Sequence, residues 1–122
     1  MNEISSRVWP VEIKLKKSER RLIVSFDDGQ VFALDAELLR VESPSAEVQG
    51  HGLGQKTTVA GKRKVTIERL EPVGNYALRI IFGDGHDSGL FTWETLYRLG
   101  SDHDEIWAAY LAALKEKNLS RD

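Results

Sequence analysis

"SFDDGQVFALDAELLRV", residues 25–41, reads as the end of a strand, a tight turn, a returning strand and a short helix. Leu22, Val24 and Phe26 alternate with polar residues, the period of a half-buried strand. Asp27-Asp28-Gly29 is a hairpin signal, because Asp-Gly tolerates the positive φ that tight turns demand. Val31 and Phe32 start the way back. Asp35 is placed to cap the helix "AELLRV", since its carboxylate can accept from free backbone N–H groups. Just upstream, Val11, Ile13 and Leu15 share one face and Glu12, Lys14 and Lys16 the other, which predicts another strand. "KKSERR" turns the chain between the two.

The same plan returns further on. "KVTIERL" (64–70) alternates at Val65 and Ile67, and at Leu70 after a slip. "EPVGN" (71–75) reads as a turn containing Pro72 and Gly74, and "YALRIIF" (76–82) as a strand rich in β-formers. "GDG" (83–85) turns the chain, "SGLFTW" returns, Thr92 caps, and "ETLYRL" (94–99) is a short helix. "FDDG…F…D" and "FGDG…F…T", each before a helix, look like two versions of one unit. Common turn chemistry alone would also produce this match.

The last element is the clearest. Ser101 is placed as N-cap, with Asp104 close to a capping box. Asp102, Asp104 and Glu105 at the start, and Lys115 and Lys117 at the end, suit the helix dipole. Ile106, Trp107, Tyr110, Leu111 and Leu114 form an apolar stripe expected to pack on the sheet. The tail "NLSRD" is expected to fray. Together these elements predict an α+β, two-layer domain: a mainly antiparallel sheet, two short helices and a C-terminal amphipathic helix. It is read as one domain over 1–122, ordered over about 10–117.

Composition narrows the function classes. The 122 residues are 41% hydrophobic and 30% charged, an ordinary globular balance that can bury a core without staples. A net charge of −2 gives no support to a nucleic-acid role. Without cysteine there are no disulfides, thiolate metal sites or cysteine nucleophiles. No apolar run approaches the ~18 residues of a membrane span, and "MNEISSRVWPVEIKL" has no signal-peptide core, so a cytoplasmic protein is expected.

Three histidines are the natural candidates for chemistry. His51 lies in "QGHGLGQK", whose glycines let backbone approach a ligand closely. Its amides, with Lys56 and the later "GKRK" (61–64), could cradle an anion. The spacing is neither a P-loop nor a dinucleotide fingerprint, and a mobile surface loop is the plainer reading. His86 lies in "GDGHDSG" between Asp84 and Asp87, a set that could orient an imidazole or share a metal, and equally a set of common turn formers. His103 and Glu105 make an H-x-E pair, but i and i+2 point apart on a helix. Ser43, Ser45 and the histidines carry no local signature of a catalytic triad. Trp9, Trp93 and Trp107 read as packing rather than as base-stacking platforms.

Three strings, "FDDGQVFALDAELLRVESPSAEVQGHG", "GQKTTVAGKRKVTIERLEPVGNYALRIIFGDGHDSGLFTWETLYRLG" and "DEIWAAYLAAL", together resemble the DUF971 family, the γ-butyrobetaine-hydroxylase-like N-terminal domain. The resemblance spans nearly the whole chain and implies a small α+β fold. In the dioxygenases that carry this domain, three cysteines spaced C-x-C-x-x-C and a histidine hold zinc. Carried onto this chain, the cysteine positions fall at Ser43, Ser45 and Val48, and the histidine at His86. Serine is a poor zinc ligand and valine none, so zinc is not expected to transfer. Nor is oxygenase activity, which belongs to a following jelly-roll domain expected to be absent here.

The leading expectation is therefore a non-enzymatic binding or adaptor domain for another protein. The family's fusions suggest an iron–sulfur or oxygenase partner; no nucleic acid, membrane or cofactor is expected. The surface to examine is Gln49, His51, Gly52, Gly54, Gln55 and Lys56 with Asp84 and His86. Two alternatives stay open: a weak Fe or Zn site from His51, His86 and Asp87, and a small-molecule or anion-binding enzyme or sensor that uses the glycine-rich loop.

Overall fold

The computed structural model describes residues 8–50 and 56–122. The elements run β1 (Pro10–Lys16), β2 (Arg21–Phe26), β3 (Val31–Asp35), α1 (Ala36–Val41), α2 (Ala46–Gln49), β4 (Ile67–Val73), β5 (Ala77–Phe82), β6 (Leu90–Thr92), α3 (Trp93–Ser101) and α4 (His103–Glu116). The fold is α+β and its strands pair antiparallel, as the alternation predicts. They are divided, however, between two three-stranded sheets, β1-β2-β3 and β4-β5-β6.

The two halves follow one plan to the level of single hydrogen bonds. Each sheet has a register shift at the start of its first strand, between Pro10 and Glu12 in β1 and between Ile67 and Arg69 in β4. The second is the slip that moves the apolar face from Ile67 to Leu70. The turn after Phe26 closes with Phe26 N–H on Gln30 O (2.8 Å) and Gly29 N–H on Phe26 O (3.1 Å). The turn after Phe82 closes with Phe82 N–H on His86 O (3.0 Å) and Gly85 N–H on Phe82 O (3.1 Å). Asp28 and Asp84 accept from the amides two residues on, Gln30 at 3.0 Å and His86 at 3.1 Å. Gly29 and Gly85 both have positive φ, +89° and +93°, where a side chain would be strained.

Contacts between the halves are reciprocal, as a pseudo-two-fold relation demands. The turn of the first half reaches the helix of the second, with Tyr97 OH donating to Asp28. The turn of the second reaches the helix of the first, with Arg40 Nε donating to Asp84. The inner faces of both sheets then close one core. Leu22, Val24, Phe26 and Leu34 meet Ile67, Leu78, Ile80, Phe82 and Phe91, with Leu38, Leu39, Leu96 and Leu99 from α1 and α3.

Several local expectations change. Glu71, Pro72 and Val73 belong to β4 rather than to a turn; proline is tolerated because β4 is an edge strand. Asp35 sits at the N-cap position of α1, but its carboxylate accepts from Arg21 Nε at 3.0 Å instead of capping. Thr92 does cap α3, accepting from Thr95 N–H at 3.1 Å. Ser101 is the last residue of α3, and Asp102 takes the N-cap position of α4. α3 runs on through Gly100, where the Phe32 ring occupies the space a side chain would take. Tyr110 and Leu114 of α4 pack on Val41, Val59 and Ala60 rather than on strand residues, and Leu111 is exposed. The 118–122 tail does not fray. Asn118, with φ +56°, turns it back, and Leu119 N–H on Leu114 O closes the helix end.

Candidate functional site

Beside the second turn lies an open cleft of about 520 Å3, lined by Arg40, Val48, Val59, Lys62, Asp84 and His86. The exposed residues Glu47 and Asp87 also line it, with Thr57, Gly85 and Ser88. α1 supplies Arg40, the β5–β6 turn supplies Asp84 to Asp87, and the segment before β4 supplies Lys62.

Asp84 is the hub. Its Oδ2 takes Arg40 Nε at 2.8 Å and Lys62 Nζ at 2.6 Å, while Oδ1 takes the His86 amide. Burial opposes ionisation of this carboxyl, but Lys62, the amide and Arg40 outweigh it and hold its pKa at about 2. Arg40 Nη1 is buried without a hydrogen-bond partner among the described residues.

His86 is buried and bonded at both nitrogens. Nε2 lies 2.9 Å from Ser43 Oγ, and Nδ1 2.9 Å from Glu47 Oε1. A carboxylate can only accept, so the neutral ring carries its proton on Nδ1, and Nε2 accepts from the Ser43 hydroxyl. Ser43 Oγ accepts in turn from Ser45 N–H, and Glu47 accepts from Ser88. Burial, and then the Arg40 charge, push the His86 pKa below its ordinary value; Glu47, Asp84 and Asp87 offset this only in part.

Ser43, His86 and Glu47 thus stand in the order of a Ser-His-acid triad, which no local signature in the sequence announces. Their burial is inverted. The serine is 0% exposed, whereas the Glu47 side chain is 71% exposed. A nucleophile must reach a substrate carbon, yet Gly89 packs against Ser43 so closely that a Cβ there would lie 2.2 Å from its Oγ. The chain of bonds pins the 43–49 segment to the turn.

The structure therefore brings Ser43 and Val48 to His86, and Ser45 to Ser43. This donor set does not fit zinc. The His86 Nε2 lone pair already accepts from the Ser43 hydroxyl, Val48 has no donor atom, and Ser45 Oγ is a buried neutral hydroxyl. Among the described residues no group of three His, Cys, Asp or Glu side chains is placed to hold a metal ion.

The other candidates are dispersed. Gln49 Nε2 donates to Ser43 O at 2.9 Å, bracing its own loop. Lys56 pairs with Glu42 at 2.6 Å, beside a different groove. His51, Gly52, Gly54 and Gln55, and with them a shared His51–His86 site, lie outside the described residues. His103 bonds Asp104, not Glu105, and stacks on Trp107. Sequence reasoning missed Arg40 and Glu47, and read Lys62, within "GKRK", as charge for an anion cradle rather than as a partner of Asp84. Arg40 was legible only through the repeat, which makes it the counterpart of Tyr97. No helix among the described residues is long and apolar enough to cross a membrane.

Known proteins agree with this architecture. Two NMR solution structures are each 47% identical, with TM-scores of 0.81 and 0.83; they cover 93% and 99% of this chain, each over 90% of its own. A crystal structure of a protein of unknown function, of the DUF971 family, from Acidithiobacillus ferrooxidans is 40% identical, with a TM-score of 0.62, over 74% of this chain and 90% of its own. No curated protein matches the chain. The family model "Gamma-butyrobetaine hydroxylase-like, N-terminal" matches residues 13–97, and the chain belongs to that family, the DUF971 domain of unknown function.

Proposed function

We propose that the domain is a non-enzymatic binding module whose recognition surface for a protein partner is the Asp84–His86 cleft. One observation carries this reading: the sister turn shows what the fold alone requires. There the equivalent places hold Tyr97, Gln30, Phe32 and Gly100, and three aromatic rings, Phe26, Phe32 and Tyr97, pack edge to face at 5.0–6.0 Å. The same plan closes with an aromatic plug on one side and with Arg40, His86, Gly89 and Ser43 on the other. The polar set is more than folding needs, and it borders open space. Asp84 is paired with Arg40 and Lys62 and the serine is sealed, which favours recognition over reaction. The family name points to a hydroxylase as the class of partner, and its fusions add iron–sulfur proteins, both by analogy.

Affinity capture with the whole chain tests this. A partner retained by the native protein should be lost with Asp87→Lys, an exposed change that leaves the fold intact. A partner set unchanged by Asp87→Lys and by Arg40→Tyr would sink the reading. The cleft volume lies in the range of small-molecule sites and favours a second reading, a small polar ligand. NMR shifts at Asp87 and Ser88 caused by the low-molecular-weight fraction of a cell extract would favour that; shifts caused by the protein fraction favour the first.

A further inference from the structure

The C-terminal tail touches both halves of the cleft's cationic clamp. Ser120 O accepts from Gly61 N–H at 2.9 Å, and Arg121 O from Arg63 N–H at 3.0 Å. These two amides flank Lys62, whose Nζ reaches Asp84. Arg121 also forks onto Glu37, with Nε on Oε2 at 2.9 Å and Nη2 on Oε1 at 2.6 Å. Glu37 lies one turn before Arg40 on α1, so the tail grips the helix that supplies the other cation on Asp84. The fork is strong for its position. The Glu37 side chain is only 7% exposed, a bidentate pair fixes direction as well as distance, and the guanidinium sits 5.2 Å over the Trp107 ring. Arg63 adds an ion pair to Asp122.

We infer that residues 120–122 are a strap that sets the cleft: seated, they hold Lys62 and Arg40 together on Asp84, and released, they let the clamp open. The inference rests on the cleft being the recognition surface, because that is what makes its geometry matter. Anything that draws the tail off the body, such as a partner or a modification, would then reach the cleft without touching it. Arg121 is a positioning residue in this scheme and contacts no ligand.

Hydrogen exchange by NMR on the free protein tests the coupling without a partner, so it is independent of whether the binding reading stands. In the native chain the Arg40 Nε–H and the Gly61 and Arg63 amides should exchange slowly. Arg121→Ala should speed all three by about tenfold or more, the effect of a local opening easier by ~1.4 kcal/mol. The β5 amides of Leu78 and Ile80 should be unchanged. Arg121→Lys, which restores one bond of the fork, should recover part of the protection at Arg40, a recovery that mere loss of tail packing would not give. A chain ending at Leu119 should show the full effect. Free exchange at Gly61 and Arg63 with native protection at Arg40 Nε–H would overturn the strap. Should the shortened chain not fold, Arg121→Lys decides: protection at Arg40 and at Gly61 falls together if the strap is real, and at Gly61 alone if it is not.

Discussion

Gly100→Ala should reverse the usual sign of a helical glycine substitution. Gly100 lies within α3 without a positive φ, where alanine ordinarily gains ~1 kcal/mol. Here the new Cβ would fall 2.2 Å from Phe32 Cγ and 2.5 Å from both Cδ atoms, over the Cγ end of the ring. Carbon atoms settle at ~3.5 Å or more, so the ring must retreat by roughly 1.3 Å. It has little room, because Phe26 and Tyr97 hold it at centroid distances of 6.0 and 5.4 Å. A shift this large against two packed rings belongs in the upper part of the ~1–3 kcal/mol range of overpacking, about 2–3, which leaves a net loss of about 1–2 after the helix gain. Thermal unfolding should show a midpoint lower by about 3–6 °C. Phe32→Leu shrinks the ring that is struck, so the double variant should lose less than the two single losses added, by ~1 kcal/mol. A Gly100→Ala protein as stable as the native one would refute the close approach and the reading of Gly100 as a packing residue.

Asp84→Asn keeps the bond from the His86 amide but leaves Arg40 and Lys62 facing a neutral group, and should cost about 1–3 kcal/mol in chemical denaturation. Asp28→Asn should cost clearly less, since its one side-chain partner is the hydroxyl of Tyr97 at the surface. Acid should lower the stability of the protein in two stages. The His86 pKa is lowered in the fold, so its contribution is complete above the unfolded value of ~6.5 and is lost as pH falls below it; His86→Gln should abolish this first loss. Asp84, held at about 2, contributes above its unfolded value of 3.8 and is lost as pH falls toward 2, a contribution of up to about 2 kcal/mol before solvent screening that Asp84→Asn should remove.

Much of this fold is legible in the chain, because period and turn chemistry are local. Asp28-Gly29 and Asp84-Gly85 announce their turns, and the slip at Leu70 announces a bulge. What was not legible depends on distant atoms. Asp35 caps nothing because Arg21 on the neighbouring strand takes its carboxylate. The helix "ETLYRL" reads only to Leu99, and nothing in the sequence shows the Phe32 ring that packs against Gly100. The tail reads as frayed because the Glu37 that holds it is a charged residue in a short helix, with no sign of its burial. The site divides the same way: His86 and Asp84 stand out by type and spacing, whereas Arg40, Glu47 and Lys62 join them only through the meeting of the halves.

That meeting also explains why there is a cleft at all. Both halves make the same close approach between a glycine and the residue opposite. In one, Gly100 from the helix end yields to Phe32 from the strand; in the other, Gly89 before the strand yields to Ser43 from the helix end. The bulk has changed sides and shrunk from a phenyl ring to a hydroxyl, and the second ring of the plug, Tyr97, has become Arg40. Arg40 and His86, which line the open volume, stand where the sister half has Tyr97 and Gln30. Gly89→Phe alone should then misfold, because its Cβ strikes Ser43, whereas Gly89→Phe with Ser43→Gly copies the sister arrangement and should fold with the cleft closed. Dispersed methyl resonances together with loss of the Asp87-sensitive partner would match this account. A double variant less stable than Gly89→Phe alone would mean that the two halves are not equivalent at this point, and the cleft would need another explanation.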